Sequence, residues 1–262
     1  MNNYDDNDMK IIVGIPARMG SSRFPGKPME MINGMPMIGH VYYRSQIIEN
    51  INTVCVATCD KAIFDYIESI GGIALMTSEL HERATERTAE ALDILKNEYG
   101  YEFDIVAMVQ GDEPMFDPMD VSHAIAELNN RSEVNIVNLM NIANDLDDFQ
   151  DENNVKVVVD KNSHALYFSR EPIPSNWSKG THHQMLIQTG LIVFRSNYLK
   201  KFLSMEPTDL EQQESCDMLR ILEHGDKVFM LEAKTRSIGV DTVEDLKLVE
   251  DLIKNDQNTL NY

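Results

Sequence analysis

Short apolar runs alternate along the first half of the chain with longer segments in which apolar residues recur every three or four positions. The runs are rich in β-branched residues, as buried strands are, and the longer segments have the spacing of amphipathic helices. Strands are therefore predicted at 10–15, 53–58, 73–76 and 104–109. Helices are predicted at 37–49, 61–69, 84–96 and 117–129. This order predicts an α/β fold with a mostly parallel, doubly wound sheet and helices on both faces.

The pattern changes after residue 133, where strands follow one another with little helix between them. The predicted strands of this region are 134–140, 155–159, 165–169 and 189–195. A helix at 206–223, a strand at 228–232 and a helix at 243–253 complete the pattern. We interpret the region as a β-rich insertion, suited to form a substrate wall and a dimer surface, within one domain spanning 9–253. The segments 1–8 and 254–262 are expected to be flexible tails.

Composition narrows the class of partner. The chain has 262 residues, 43% of them apolar, and a formal net charge of −20. Nucleic acid and anionic membrane surfaces require a clustered positive face, so neither is expected as a partner. We attribute the acidity to solubility, and a site for an anionic substrate must then be locally basic.

The cysteines and the apolar runs favour a reducing compartment. Cys55, Cys59 and Cys216 have neither metal-site spacing nor a disulfide pattern, and we interpret them as small apolar residues. No apolar run approaches the length of a membrane span, and residues 1–10 are polar and acidic, unlike a signal peptide. A cytoplasmic location is therefore expected.

The loop after the first strand carries the most informative chemistry in the chain. From residue 16 to residue 27 it reads Pro-Ala-Arg-Met-Gly-Ser-Ser-Arg-Phe-Pro-Gly-Lys. Glycine and serine let a backbone approach oxyanions, and arginine and lysine neutralise them, so the loop predicts a nucleotide-phosphate site. Its spacing matches neither the dinucleotide fingerprint nor the Walker loop. An ordinary loop with surface cations is the alternative interpretation.

This loop resembles the opening motif of the 3-deoxy-manno-octulosonate (Kdo) cytidylyltransferases, also called CMP-Kdo synthetases. The resemblance continues in order through Val-Gln-Gly-Asp-Glu-Pro at 109–114, Asn-Val-Lys-Val-Val at 154–158, Ala-Leu-Tyr-Phe-Ser-Arg at 165–170 with Pro-Ile-Pro at 172–174, and Gly-Val-Asp-Thr at 239–242. It implies a homodimeric, Rossmann-like nucleotidyltransferase of nucleotide-sugar and lipopolysaccharide biosynthesis. Such an enzyme transfers CMP from CTP to the 2-hydroxyl of an acidic 3-deoxy-2-ulosonic sugar and releases pyrophosphate.

Nucleotidyl transfer requires charge neutralisation and alignment at the triphosphate rather than a covalent intermediate. Arg18, Lys27 and Asp112 are the candidate catalytic residues. A guanidinium can chelate two phosphate oxygens, and a lysine acts as a point charge. The motifs assign nucleotide binding to Ala17, Arg18, Met19, Gly20, Ser21, Lys27, Thr85, Arg87, Gln110 and Gly111. Met19, Gly20 and Ser21 are expected to offer backbone N–H groups to the phosphates.

Two aspartates are the candidate metal ligands. Asp112 directly follows an apolar strand, and a carboxylate there, facing a phosphate loop, is well placed to hold Mg²⁺. Asp241 matches the second metal-binding carboxylate of the family. Mg²⁺ fills its remaining positions with phosphate oxygens and water, so two aspartates suffice. The alternative for Asp241 is the N-cap of the next helix, a role that Thr242 with Asp245 or Glu244 can also fill.

The segment 81–87 departs in part from the family. It reads His-Glu-Arg-Ala-Thr-Glu-Arg where the family has His-x-Ser-Gly-Thr-Asp/Glu-Arg, a loop that recognises cytosine and ribose. Thr85 and Arg87 are kept, whereas Arg83 and Ala84 replace serine and glycine. Alanine adopts positive φ less readily than glycine, so the loop differs locally while cytosine stays the expected base. His81 has no partner at ligand spacing and is not interpreted as a metal ligand.

The acceptor side departs further. Gln188 and Ile192 stand where the family has histidine and tyrosine, and Asp217 and Met218 replace glutamate and glutamine. Several polar partners of a hydroxyl-rich sugar are thus exchanged, which predicts a changed acceptor specificity. The candidate acceptor-binding residues are Arg23, Gln110, Gln188 and Asp217. The alternative is a slip in the comparison that hides the true counterparts, for example Gln212 or Gln213.

Arg23 and Gln110 keep an acidic acceptor as the expectation, and Kdo is the first choice. A different acid, such as an amino-substituted ulosonate, a nonulosonate or a phosphonate, is the first alternative. A catalytically inactive nucleotide-binding protein is the remote alternative, because it requires a broken triphosphate or metal site.

Overall fold

The structure, a computed structural model, describes residues 9–20, 24–175, 177, 184–259 and 262. Its strands are β1 (Ile11–Ala17), β2 (Met31–Ile32), β3 (Met35–Pro36), β4 (Thr53–Thr58), β5 (Ile73–Met76), β6 (Ile105–Met108), β7 (Ile136–Ile142), β8 (Lys156–Val159), β9 (Ala165–Ser169), β10 (Leu186–Arg195) and β11 (Phe229–Glu232). Its helices are α1 (Met37–Gln46), α2 (Lys61–Ser69), α3 (Ala84–Tyr99), α4 (Pro118–Asn130), α5 (Leu146–Gln150), α6 (Ser196–Leu203), α7 (Asp209–Glu214), α8 (Asp217–Glu223) and α9 (Val243–Leu252).

The central sheet has the strand order β11-β7-β10-β6-β1-β4-β5. Neighbours within β6-β1-β4-β5 are parallel, as are β11 and β7, and β10 runs antiparallel to both of its neighbours in this order. The hairpin of β8 and β9 joins the sheet where Lys156 pairs with Ile187. The predicted α/β fold with a mostly parallel sheet and a β-rich insertion is confirmed.

Helices cover both faces of the sheet, and β1 contributes to both because its side chains alternate. Val13 and Ile15 join one buried cluster, to which α1, α2 and α4 contribute. Ile12 joins the cluster on the other face, to which α3, α6 and α8 contribute. Because every residue of β1 is buried, its apolar sequence specifies a central strand rather than an edge strand.

Three helical features differ from the prediction. The helices α5 and α6 were not predicted, since five and eight residues give too little periodicity to detect. The predicted helix 206–223 is wrong as one element, because the chain breaks into α7 and α8. Ser215 has φ 49°, a left-handed backbone conformation that ends α7. The break places Asp217 in the first turn of α8.

The described residues that follow α9 pack on α1, whereas the sequence predicted a flexible tail from 254 onward. Arg44, whose side chain is 1% exposed, pairs with Asp256 and donates to the carbonyl of Phe116 at 3.0 Å. The Tyr262 ring stacks on Tyr43 with 5.6 Å between centroids. The expected tail 1–8 lies outside the described residues. None of the helices that the structure describes is long and apolar enough to cross a membrane.

A buried ion pair joins α7 to α8. Arg220 donates from Nε to Glu211 at 2.6 Å and from Nη2 at 2.5 Å, with the two side chains 9% and 2% exposed. The Arg220 guanidinium also lies over the Phe202 ring of α6, 4.8 Å from its centroid. The pair therefore holds together the two helices on either side of the Ser215 break.

Substituting one partner of this pair is expected to destabilise the fold strongly. Arg220→Met leaves the Glu211 carboxylate buried without its counter-charge, which costs about 3–5 kcal/mol of unfolding free energy. The double variant Glu211→Leu/Arg220→Met is expected to regain most of that loss. Urea unfolding measures both, with Lys61→Met as the control, since Lys61 forms an exposed pair with Asp65. Equal losses in Arg220→Met and the control would contradict the assignment.

Candidate active site

The carboxyl ends of β1 and β6 meet at one edge of the sheet, as parallel neighbours require. The chain continues the pairing beyond β6: the Val109 N–H donates to the Gly14 carbonyl at 3.1 Å, and the Gly111 N–H donates to the Pro16 carbonyl at 3.3 Å. Arg18 follows β1 and Asp112 follows β6, so the two residues lie at the same edge of the sheet.

The loop after β1 turns back through Gly26. This residue has φ +80°, which favours glycine, and its N–H donates to the Met19 carbonyl at 2.9 Å. Arg18 is exposed. The N–H of Met19 donates to the Asp60 carboxylate at 2.8 Å. That amide was expected to donate to phosphate; in this structure it donates to the Asp60 carboxylate, and its role at the nucleotide stays a prediction.

Lys27 lies between the two predicted metal ligands. Its Nζ is 2.5 Å from Asp112 Oδ2 and 2.9 Å from Asp241 Oδ1, and it donates to the Val240 carbonyl at 3.0 Å. Burial by itself lowers the pKa of Lys27, but the two carboxylates outweigh burial and the net pKa is raised. The ammonium therefore stays charged, and the three side chains form one cluster at the sheet edge.

The helix α9 does not use Asp241 as its N-cap. Thr242 has that role, since its Oγ1 accepts from the Asp245 N–H at 3.1 Å and Asp245 Oδ2 accepts from the Thr242 N–H at 2.8 Å. Asp241 and Asp112 thus converge on one cation. No group of three or more His, Cys, Asp and Glu in the described ranges is placed to hold a metal. Two carboxylates match the way in which Mg²⁺ is held together with substrate phosphates.

Glu113 is a site residue that the sequence analysis missed, although it lies inside the 109–114 motif. It is buried, and burial raises the pKa of its carboxyl to about 7. One oxygen accepts from the Gly190 N–H at 3.2 Å and the other from the Ser237 hydroxyl at 2.7 Å. Glu113, the neighbour of Asp112, therefore links the end of β6 to β10 and to the segment 237–240, which leads to Asp241.

One cavity opens beside the phosphate loop. It is lined by Pro16, Ala17, Arg18, Gly20, Lys27, Pro28, His81, Glu82, Arg83, Ala84, Arg87, Gln110, Gly111, Asp112 and Asp241. Most of the predicted nucleotide-binding residues are among them.

Arg87 is buried and donates to the Thr77 hydroxyl at 2.6 Å and to the Ser78 carbonyl at 3.2 Å. Its guanidinium therefore holds the loop before α3 in place.

A second cavity adjoins the first through Gln110, Asp112, Ala84 and Asp241. It is lined by these residues together with Met108, Asn153, Asn154, Val155, Arg170, Gln188, Thr189, Gly190, Ile192, Ser215, Cys216, Asp217 and Met218. A register shift in β10 between Gln188 and Ile192 places Gly190 against Gln110. A Cβ at Gly190 would lie 2.5 Å from Gln110 Cγ, so the close approach of the two residues requires glycine.

The predicted acceptor residues of this cavity already have protein partners. Gln188 donates to Asn138 Oδ1 at 2.7 Å and accepts from Cys216 Sγ at 3.3 Å. Asp217 accepts from the Thr85 hydroxyl at 2.8 Å and lies 3.3 Å from Arg83. Ile192 and Met218 are buried apolar residues.

The structure thus gathers most of the predicted site at one edge of the sheet. Met19 and Thr85, which were predicted to bind nucleotide, line neither cavity. Met19 donates to Asp60 and Thr85 donates to Asp217. Ser21 and Arg23 lie outside the described residues. Arg170 was quoted in a motif without a role; it lines the second cavity, where its Nε donates to the Glu214 carbonyl and its Nη1 to the Glu152 carbonyl, both at 2.8 Å.

Comparison with known proteins shows the family of the chain. A family model described as cytidylyltransferase matches residues 12–232. A 3-deoxy-manno-octulosonate cytidylyltransferase from Geotalea daltonii is 39% identical and covers 94% of this chain and 99% of its own. The same enzyme from Thermodesulfovibrio yellowstonii is 41% identical, over 92% of this chain and 97% of its own.

Solved structures also resemble this chain over most of its length. CMP:2-keto-3-deoxy-manno-octonic acid synthetase, solved with CTP, superposes with a TM-score of 0.85 at 34% identity, covering 94% of this chain and 98% of its own. A cytidylyltransferase from Leptospira borgpetersenii, at a TM-score of 0.61 and 18% identity, shares the fold. The chain belongs to the 3-deoxy-manno-octulosonate cytidylyltransferase family.

Proposed function

We propose that the protein transfers CMP from CTP to Kdo or a closely related 3-deoxy-2-ulosonic acid. The observation that carries this proposal is the pair of adjoining cavities with Gln110 and Asp112 in both linings. Two substrates bound in them would meet at Asp112. There the oxygen of the acid's 2-hydroxyl would form a bond to the α-phosphorus, the hydroxyl proton would leave to solvent, and the bond from the α-phosphorus to pyrophosphate would break.

The charges at the shared edge suit this reaction. Arg18 is exposed at the mouth of the first cavity, where its guanidinium can bind the triphosphate. Lys27 supplies a buried positive charge beside Asp112, which supports its role in neutralising the reacting phosphates. Gln110, in both linings, is suited to align the acceptor with the nucleotide. The lining of the first cavity has four arginine and lysine side chains, Arg18, Lys27, Arg83 and Arg87, against the three carboxylates of Glu82, Asp112 and Asp241, so it is far less acidic than the chain as a whole.

Mg²⁺ is the proposed cofactor, and Asp112 and Asp241 are its proposed ligands. Their convergence on the Lys27 ammonium supports the assignment, because two carboxylates that hold one cation can hold another. Bound there, Mg²⁺ supplies further neutralisation of the phosphate oxygens. The cytoplasmic location and the homodimer stay predictions.

A second candidate function differs only in the acid. It is favoured by the engagement of Gln188 and Asp217 with protein partners and by the apolar Ile192 and Met218, because these four positions then offer few polar groups to sugar hydroxyls. An amino-substituted ulosonate, a nonulosonate and a phosphonate are the acids to compare with Kdo.

The metal assignment predicts that Asp112→Asn and Asp241→Asn each lower pyrophosphate release by roughly a hundredfold or more. An amide lacks the charge that a Mg²⁺ ligand supplies. The measurement is a Mg²⁺ titration of pyrophosphate release, with the exposed Asp65→Asn as the control. Wild-type activity and Mg²⁺ dependence in either site variant would remove that aspartate from the metal site.

The triphosphate assignment predicts different consequences for the two cations. Arg18→Ala and Lys27→Ala are each expected to weaken CTP binding about ten- to a hundredfold, the loss typical of a charge-assisted contact. Only Lys27→Ala is also expected to lower the melting temperature, because it leaves Asp112 and Asp241 facing each other without a cation. Calorimetry with CTP and thermal unfolding measure the two effects. Unchanged CTP affinity in both variants would exclude this loop as the triphosphate site.

The second candidate predicts that the family residue types restore use of Kdo. The combined variant Gln188→His/Ile192→Tyr/Asp217→Glu/Met218→Gln is expected to raise kcat/KM for Kdo and to leave CTP affinity unchanged, since sites for hydroxyls discriminate through their polar groups. The assay is pyrophosphate release with Kdo and the other three acids. Efficient use of Kdo by the wild-type protein, unmatched by any other acid, would exclude the second candidate and support the first.

A further inference from the structure

Arg83 connects the two cavities. It immediately precedes α3, in the segment that lines the nucleotide cavity. Its Nη1 crosses to the break between α7 and α8, where it lies 3.3 Å from the Ser215 hydroxyl and 3.3 Å from Asp217 Oδ1. Both contacted residues line the acceptor cavity. The guanidinium therefore joins a wall of one cavity to a wall of the other.

A second contact ties the same carboxylate to the same place. Thr85, in the first turn of α3, donates its hydroxyl to Asp217 Oδ2 at 2.8 Å. Burial raises the pKa of the Asp217 carboxyl, and the Arg83 charge and the Thr85 hydrogen bond oppose that effect. The two groups that most stabilise the charged form of Asp217 thus lie at the start of α3, and Arg220 on α8 adds a smaller contribution.

The pair is sheltered enough for its charge to matter. The Arg83 and Asp217 side chains are 29% and 16% exposed, so water and salt screen this ion pair less than a fully exposed one. The break that it holds lies between helices of six and seven residues, and Ser215 has a left-handed backbone there. Short helices have little stability of their own, so side-chain contacts decide where this turn lies.

We propose that Arg83 is a positioning residue for the acceptor, which holds the Ser215–Asp217 turn in place as one wall of the acceptor cavity. The proposal rests on the assignment of the second cavity to the acid substrate. Arg83 and Asp217 both depart from the residue types of the family, where serine and glutamate stand. The Asp217 carboxylate is one methylene closer to the backbone than a glutamate carboxylate would be. The Arg83 side chain is long enough to reach it there, whereas a serine side chain is not.

The test compares Arg83→Ser, Asp217→Glu and their double variant with the wild-type protein. The control is Lys200→Ser. The Lys200 ammonium on α6 lies 3.1 Å from the Asp93 carboxylate on α3, and neither residue lines an active-site cavity. At saturating CTP, Arg83→Ser is expected to raise the acceptor KM about tenfold, because one wall of the acceptor cavity loses an anchor, and to change the calorimetric CTP affinity much less than the acceptor KM. Arg83→Lys, which keeps the charge, is expected to recover part of the loss.

Asp217→Glu alone is also expected to raise the KM for the acid that the wild-type protein uses best, because the longer carboxylate no longer fits between Arg83 and Thr85. In the double variant the two effects are expected to be non-additive, with an acceptor KM lower than the product of the two single effects predicts, since the positions act as a pair. Lys200→Ser is expected to behave as the wild type does.

A second measurement does not depend on turnover. Amide hydrogen exchange at 215–219 is expected to be about tenfold faster in Arg83→Ser than in Lys200→Ser, because one of the contacts that hold the turn is gone. A weakened CTP affinity with unchanged acceptor KM would instead make Arg83 a nucleotide ligand and overturn the proposal. Unchanged exchange at 215–219 would overturn it as well.

The proposed function can fail separately from this inference. Its failure would be the absence of pyrophosphate release by the wild-type protein with CTP and each of the four acids. Hydrogen exchange still reports on the contact in that case, and faster exchange would keep Arg83 as the residue that holds the turn. With an active wild-type protein, a normal acceptor KM in Arg83→Ser would overturn the inference and leave the proposed function intact.

Discussion

The buried ammonium of Lys27 is the interaction on which the site depends. Removing a lysine from water is costly, and the cost is offset here by Asp112, by Asp241 and by the Val240 carbonyl. These partners come from segments far apart in sequence. Because one side chain binds them all, the phosphate loop, the end of β6 and the segment before α9 are held in a single relative position. The loop can then present Arg18 to solvent while its far end stays anchored.

A second polar contact extends this arrangement to the insertion. Glu113 accepts from Gly190 on β10 and from Ser237, and the missing Cβ of Gly190 lets Gln110 approach. The antiparallel strand β10 is thereby joined to the parallel part of the sheet at the point where the two cavities meet. A single sheet edge consequently supports both cavities.

The two cavities differ in how they relate to the family. The first cavity, to which we assign the nucleotide, contains Arg18, Lys27 and Asp112, which belong to the motifs that resemble those of Kdo cytidylyltransferases. The acceptor cavity instead contains residues that bind one another: Gln188 with Asn138 and Cys216, and Asp217 with Thr85 and Arg83. Two of the residues that differ from the family motifs, Arg83 and Asp217, therefore contact each other. Shared nucleotide chemistry and a distinct acceptor wall are compatible within one fold.

The sequence by itself determined the alternation of strands and helices, the family and the residues of the phosphate loop, because periodicity and motif chemistry are local properties. It left open whether Asp241 capped a helix, and it predicted one helix where Ser215 separates two. Those outcomes depend on contacts between distant segments, such as Thr242 with Asp245 beside the Lys27 cluster. Only the tertiary structure decided that Arg83 and Asp217, 134 positions apart in number, would meet, since no local pattern encodes which buried carboxylate a guanidinium will reach.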